Sequence, residues 1–352
     1  MIKYIIGLLF TIDMIFNCCA FNINSFHLNR RDLLKNTAYY TVLPNNKVIP
    51  NEKPICIIGA NGETGRECVN LLLEQNRNVR AVSRKNVNIK NKNLENFLLD
   101  IRDEVNIKKI IKDVSGVIFL ANAKKKYKYI KTDEENFQNY EEIDVLALEN
   151  IAKECINQNI PKLVYVSAAC KSCISNPSMA VDKICGIECE NCLTKQAGEK
   201  IIRNLYKSAP NGVDYTIIRI GYLFNGENRG AKEIELNQDY TKSGMISRTD
   251  LANVCINTLS HPKTSRSTFE AYYIDTTQPY DVRESLRSCT NLGKSVEECF
   301  FGSEYKDRKP TNMEEVRKKP VRGSLFTTGN EYHGKDWSEL FKNLKSDNLL
   351  KK

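Results

Sequence analysis

Three groups of residues in this chain have the types and spacing to do chemistry. The first is the stretch Pro54-Ile-Cys-Ile-Ile-Gly59-Ala-Asn61-Gly62-Glu63-Thr64-Gly65, where an apolar run of strand length breaks into three evenly spaced glycines and a helical pattern starts at once. This is a phosphate-binding turn: Gly59 lets the chain leave the strand sharply, Gly62 lets backbone N–H groups approach a pyrophosphate, and Gly65 lets the new helix pack close to the sheet. Val69, Leu72 and Leu73 then share one helix face, so the positive end of that helix is aimed at the anion. A tight strand-to-helix turn that holds no ligand is the plainer alternative; a strand before and a helix after are the context that favours the ligand.

The second group is Ser167, which closes the apolar strand Lys162-Leu-Val-Tyr-Val-Ser167, and the later helix opening Asn191-Cys-Leu-Thr-Lys195-Gln-Ala-Gly-Glu199. A serine in that place offers either a reactive-site hydroxyl or a strand-end bond to backbone. The third lies between them. Cys170, Cys173, Cys189 and Cys192, as Cys-x2-Cys-x15-Cys-x2-Cys, have the spacing of a tetrahedral zinc site built from two knuckles, with Cys185 a fifth cysteine nearby. The same loop could instead be a redox-sensitive lid, in which a dithiol closes on oxidation, or carry unligated thiols.

Positioning these groups requires a regular frame. From Pro54 onward strands and helices alternate, the pattern of an α/β doubly wound parallel sheet of Rossmann type. Strands are expected near 54–59, 78–83, 96–99, 116–121, 162–167, 214–219 and 268–273, with a helix carrying Ile143, Leu146, Ala147 and Ile151 between the fourth and fifth. The strand C-termini then gather on the edge that holds the glycine turn. Arg84 ends the second strand about twenty residues past Gly62, where an acidic residue would otherwise bind the adenosine ribose hydroxyls. A basic residue there suits a 2′-phosphate, which favours NADP over NAD with Ser83, Arg84 and Lys85 as the anion group; a solvated loop cation is the alternative. Asp100 would end the third strand beside the adenine, followed by Ile101, and Asp103 would cap the next helix. Leu120-Ala121-Asn-Ala123 leaves room for a cofactor after the fourth strand. The run Lys124-Lys-Lys-Tyr-Lys128 that follows is read as a solvated loop in preference to a phosphate lid.

The 352 residues are 41% hydrophobic with a formal net charge of +9, an ordinary globular composition with a mild basic excess. No aromatic-basic interleaving or Arg-Gly repeat argues for nucleic acid. Residues 1–20 have the pattern of a signal peptide, too short and interrupted for a comfortable membrane span, and 21–53 that of a basic, acid-poor transit segment. Signal and transit segments together resemble the bipartite leaders of complex plastids, with the secretory pathway as the alternative destination. Arg30-Arg31 lacks the apolar run a twin-arginine signal needs. The odd, scattered set of 13 cysteines fits reduced thiols better than a disulfide scaffold. The dinucleotide domain is assigned to 54–280 and a charged extension to 281–352, lying beyond the sheet. Near its end Asp336-Trp-Ser-Glu339 resembles a capping box ahead of the stripe Trp337, Leu340, Phe341 and Leu344, a helix docked on the domain or one that binds a protein partner.

In order, Gly59-x-x-Gly62-x-x-Gly65, Ser83-Arg84, Asp100, Ser167, Lys195-x-x-Gly-Glu199, Tyr215-Thr-Ile-Ile-Arg219 and Ser247-Arg248-Thr-Asp250-Leu-Ala resemble the atypical short-chain dehydrogenase/reductase family, closest to its NAD(P)-binding, NmrA-like members of plants, algae and cyanobacteria. The resemblance spans about 54–280. It implies a nicotinamide dinucleotide held by the turn (Gly59 to Gly65), Ser83, Arg84, Asp100, Ile101 and Ala121, with Ser167 near the reacting carbon and Lys195 on the nicotinamide ribose. The chain departs from the wider superfamily where a Tyr-x-x-x-Lys pair is used, because Asn191 stands at the tyrosine position and cannot be a phenolic acid. Tyr222 or Lys195 itself would have to supply the proton to an unknown small-molecule substrate. Arg219 and Arg248 are expected in structural ion pairs beneath the site. The implied activity is an NADPH-dependent oxidoreductase; the other reading is a catalytically inactive NADP-binding redox sensor or plastid assembly factor.

Overall fold

The computed structural model describes residues 52–123, 140–171, 189–280, 290–294 and 330–348. The leader, the Lys124 to Lys128 run, Cys173, Cys185 and most of the extension lie outside the described residues.

Apolar four- to seven-residue runs build the sheet. Strands β1 (Ile55–Ile58), β2 (Val79–Ser83), β3 (Leu94–Leu98), β4 (Gly116–Phe119), β5 (Lys162–Ala168), β6 (Asp214–Ile220) and β11 (Ser267–Tyr273) pair in parallel in the order β3-β2-β1-β4-β5-β6-β11. Every expected strand is present, with ends moved by one or two residues. The order reverses between β1 and β4, and ligand crevices in such sheets open outside the strand ends at that reversal. Burial on both sides explains the near-continuous apolar sequences. Ile55 and Ile57 join the core under helices α1 (Glu63–Glu74) and α5 (Arg248–Thr258), whereas Cys56 and Ile58 join the core under α2 (Glu104–Ile111), α3 (Leu148–Asn157) and α4 (Cys189–Leu205). Asp103 caps α2 as expected, its carboxylate accepting from the Val105 N–H at 3.1 Å.

Two features depart from the sequence reading. Before α3 the chain makes a π-helical stretch, Glu142–Ala147, in which Asp144 is fully buried and Leu146 is exposed. The buried face there runs through Ile143, Asp144, Ala147, Leu148 and Ile151, so an acid occupies a place in the apolar stripe that Leu146 was expected to fill. The second concerns the extension, which does not lie wholly beyond the sheet. Strand β8 (Ile234–Asn237) adds antiparallel to β11, and β13 (Glu331–Tyr332) adds antiparallel to β8, completing nine strands among the described residues. Short strands β7 (Tyr222–Phe224) with β10 (Met245–Ser247), and β9 (Lys242–Ser243) with β12 (Gln278–Pro279), make two further pairs.

Beyond β13, helix α6 (Trp337–Phe341) begins at Asp336, whose carboxylate accepts from the Glu339 N–H at 2.8 Å. The Glu339 carboxylate reaches back to the Lys335 N–H at 2.9 Å, one residue earlier than a strict capping box. Leu340, Phe341 and Leu344 are buried in the core under α1 and α5. Asp347 then accepts hydrogen bonds from Tyr215 Oη (2.8 Å), Thr268 Oγ1 (2.8 Å) and Arg203 Nε (3.0 Å), tying the chain end to β6, β11 and α4. Asp347→Ala removes a charged acceptor from three donors and should lower stability by about 2–3 kcal/mol in urea unfolding. A loss below about 0.5 kcal/mol would show that the anchor contributes little.

Candidate nicotinamide dinucleotide site

At the strand reversal the backbone comes close enough that only glycine fits. Gly59 leaves β1 at φ +88°, and a Cβ there would lie 2.8 Å from the Ala121 nitrogen at the end of β4. A Cβ on Gly65 would lie 2.2 Å from the Gly59 carbonyl oxygen. Gly62 precedes α1 in extended conformation and, having no side chain, makes no side-chain cap to the first N–H groups of the helix. That cradle fits a diphosphate by shape and by its row of donors. Around it Asn61 Oδ1 accepts from Arg66 Nη2 at 2.7 Å, and Glu63 pairs with Arg248 Nη2 at 2.7 Å. Thr64 is half-buried in the first turn.

The adenosine side is less simple than the sequence suggested. Arg84 is exposed and makes no ion pair among the described residues. The Ser83 hydroxyl donates to the Lys85 carbonyl at 2.5 Å and so closes its own turn. Asp100 is gripped by Arg102, with Nη2 to Oδ2 at 2.8 Å and Nε to Oδ1 at 3.0 Å; these bonds hold its carboxyl below the usual range. Arg102 also reaches Glu142 at 3.0 Å. Ile101 is buried in the core under α2 and α3. Ala121 packs against that same core from the end of β4.

Ser167 lies at the end of β5, and Lys195 reaches that strand end from α4. Asn191 and Lys195 stand one turn apart on α4, both buried, and Lys195 Nζ approaches the Val166 carbonyl at 3.5 Å. Its main partner is Asp144, at 3.0 Å. Tyr165, two residues before Ser167 on the same strand face, donates its phenol to the same Asp144 oxygen at 3.3 Å. Burial pushes the Asp144 carboxyl up, opposed by the Lys195 ammonium. The Ser167 hydroxyl is buried and turned toward Glu199, yet makes no hydrogen bond of ordinary length. Tyr222 is not drawn into this group. It lies on β7, 45% exposed, with no side-chain hydrogen bond to Ser167 or Lys195.

Asp144 escaped the sequence reading although a signal was there: an acid inside the 143-147-151 stripe must be buried, and a buried acid needs a partner.

Beneath the site a polar row crosses the sheet in register, from Ser167 through Arg219, Glu270 and Asn237 to Glu331. Arg219 binds Glu199 (2.7 Å) and Glu270 (3.0 Å), and Arg248 binds Glu63, so both arginines take the structural pairing expected of them. Burial alone would raise the Glu199 carboxyl, but Arg219 and Arg203 override it and bring it down to about 2. Burial wins at Glu270, which is pushed up to about 7 against the pull of Arg219. Tyr240 completes the floor: the Arg219 guanidinium lies 4.0 Å over its ring, and its hydroxyl accepts from the Cys170 N–H (2.9 Å) and donates to the Ala168 carbonyl (3.1 Å). Tyr280 donates to the next carbonyl, Ala169, at 2.6 Å.

The cysteines correct the sequence reading twice. Cys170 and Cys192 are joined by a disulfide across a Cα separation of 5.8 Å, and Cys189 is disulfide-bonded as well. A disulfide sulfur is no longer a thiolate ligand, so the four-thiolate zinc site from Cys170, Cys173, Cys189 and Cys192 is not formed, and Cys173 lies outside the described residues. Among the described residues no group of three or more His, Cys, Asp or Glu could hold a metal. The expectation of reduced thiols holds for buried Cys56, Cys68, Cys155 and Cys255. It fails in this loop, where the backbone after β5 meets the first turn of α4.

The Glu270 proton has a measurable consequence. The folded state keeps a proton that the unfolded chain, with an ordinary carboxyl near about 4.3, releases earlier. Stability is therefore lost as pH rises between about 4.3 and about 7. Glu270→Gln should remove a loss on the order of 2 kcal/mol between pH 5 and pH 8 in paired urea titrations. Equal pH slopes in the two proteins would show that Glu270 is charged throughout.

Residues 59–262 match the family described as NAD(P)H-binding. No curated protein matches the chain. Among solved structures, a putative NAD-dependent epimerase/dehydratase from Bacillus halodurans is 17% identical, with 63% of this chain and 94% of that one covered and a TM-score of 0.47. A short-chain dehydrogenase/reductase superfamily protein from Agrobacterium tumefaciens with bound NAD is 15% identical over 67% and 83%, with a TM-score of 0.47. A Rossmann-fold NAD(P)-binding family protein from Shigella flexneri is 14% identical over 65% and 97%, with a TM-score of 0.46. No helix among the described residues is long and apolar enough to cross a membrane. With more than half of its length matched, and the glycine cradle inside the match, this chain belongs to the NAD(P)H-binding family of Rossmann-fold proteins.

Proposed function

We propose that the protein is an NADPH-dependent oxidoreductase of the NmrA-like, atypical short-chain dehydrogenase/reductase type, acting on a neutral carbonyl or quinone. The observation that carries the reading is the cradle of Gly59 and Gly65 against Ala121 at the strand reversal, on the same parallel sheet whose strand β5, two places from β1, ends in buried Ser167. The dinucleotide, when bound, supplies the hydride. The turn amides hold its diphosphate, and exposed Arg84, which makes no ion pair among the described residues, is available to meet a 2′-phosphate. Ser167 offers a buried hydroxyl at the end of β5, facing Glu199. Lys195 holds a proton at Nζ in the place from which a phenol is missing, since Asn191 has none to give. Tyr165 is an unsuitable donor, because it is wholly buried and its hydroxyl is committed to Asp144. Half-exposed Tyr222, on β7, would have to reach the group from outside it. We further propose that residues 1–53 are a bipartite leader directing the chain to a complex plastid.

A second reading, a coenzyme-holding sensor without turnover, is favoured by one observation. The Cys170–Cys192 disulfide ties the segment after Ser167 to the helix turn that carries Asn191, so the two walls of the site are locked together. Closing a loop of this length contributes about 3 kcal/mol.

Titration of residues 52–352 with NADPH and NADH tests the coenzyme. Arg84→Ala should weaken NADPH about tenfold or more and leave NADH within about twofold, the size of a lost charge-assisted bond. Equal losses for both coenzymes would remove Arg84 from the 2′-phosphate. With menadione as the probe substrate, Ser167→Ala or Lys195→Ala should cut NADPH oxidation about 100-fold. Tight NADPH binding with no turnover on a panel of quinones and aldehydes would favour the sensor reading instead.

A further inference from the structure

The sequence makes Asp144 expensive. An isolated carboxylate in an apolar helix stripe must be neutralised or paired, and this one is fully buried. Three elements are shaped to meet it. The π-helical stretch Glu142–Ala147 carries it, and such widened turns occur mostly at functional sites. Helix α4 comes so close that a Cβ on Gly198 would stand 2.4 Å from the Asp144 carbonyl oxygen. From α4 the Lys195 ammonium reaches Oδ1 at 3.0 Å, and from β5 the Tyr165 phenol reaches the same oxygen at 3.3 Å. Oδ2 has no hydrogen-bond partner among the described residues, nor has the Asn191 Oδ1 one turn before Lys195 on α4. A purely structural ion pair would not leave one oxygen of its buried carboxylate open.

We infer that Asp144 is a positioning residue of the coenzyme site, acting through Lys195: it holds the ammonium at the end of β5, beside Ser167, and cancels its charge there. This rests on the proposed coenzyme reading and extends it. Held by Oδ1 and directed past the Val166 carbonyl, Nζ keeps a hydrogen for a ligand. The pair presents donors and acceptors without net charge, which suits the neutral hydroxyls of a coenzyme ribose or a neutral substrate carbonyl. A carboxylate-bearing substrate would gain nothing from it.

A double-mutant cycle read by NADPH fluorescence titration and by thermal melting separates this role from a structural one. Asp144→Asn should weaken NADPH about tenfold, and Lys195→Met by a similar factor. In the Lys195→Met background, Asp144→Asn should cause no further loss of affinity, and should raise the melting temperature by relieving an unpaired buried carboxylate. Should Asp144→Asn alone not fold, the comparison of Lys195→Met with the double variant still decides. A double variant that binds NADPH at least fivefold more weakly than Lys195→Met gives Asp144 a role of its own and overturns the inference, as does an Asp144→Asn protein with wild-type affinity beside a weakened Lys195→Met. If the unmodified protein binds neither NADPH nor NADH, it is the proposed function that fails.

Discussion

The contact on which the rest depends is between three pieces of backbone: the turn after β1, the first turn of α1 and the end of β4. With Cβ atoms at Gly59 and Gly65 the approaches of 2.8 Å and 2.2 Å could not exist, and the helix would be pushed off the sheet. Because Leu120 donates its N–H to the Ile58 carbonyl at 2.8 Å, the same displacement would open the seam between β1 and β4. That seam is where the sheet order reverses and where α1 points its uncapped amides. The anion site is thus a by-product of close packing that only a side-chain-free backbone permits.

The second half of the crevice is held by polar means. Ser167, Arg219, Glu270 and Asn237 stand in one register row, and the first three carry or face charge in the interior. Such a row is stable only if its charges cancel. Glu199 and Asp347 balance Arg219 and Arg203, which leaves Glu270 as the carboxyl that keeps its proton near neutral pH. Tyr240 completes the arrangement at a conformational cost, since Asp239 and Tyr240 both adopt positive φ, +79° and +60°. Each such residue costs about 1–3 kcal/mol and persists where surrounding contacts over-determine it. Here the contacts are plain: the phenol fixes both Ala168 and Cys170, the residues that follow Ser167.

What could be read from the sequence was whatever depends on local pattern. The glycine spacing, the seven apolar strands, the Asp103 cap and the Asp336 helix start all rest on neighbours within a few residues, and all are present. Residues such as Tyr240, Tyr280 and Asp347 act on partners roughly 70 to 140 positions away, with no periodicity to announce them. The added strands β8 and β13 were missed because short edge strands carry little pattern of their own. The cysteines misled for a different reason. Metal-ligand spacing and disulfide spacing look alike in one dimension, and only the direct sulfur–sulfur bond of Cys170 to Cys192 separates them.

The burial of Lys195 and the burial of Asp144 make better sense together than apart. A lysine at 7% exposure costs stability unless its charge is met, and an apolar residue could pack as well in its place. Here it meets a buried carboxylate, carried on a widened helical turn and approached closely because Gly198 has no side chain. Each of these features weakens the scaffold by itself. Their convergence on one nitrogen atom argues that the chain is organised to keep an ammonium at this edge of the sheet, with or without a tyrosine beside it.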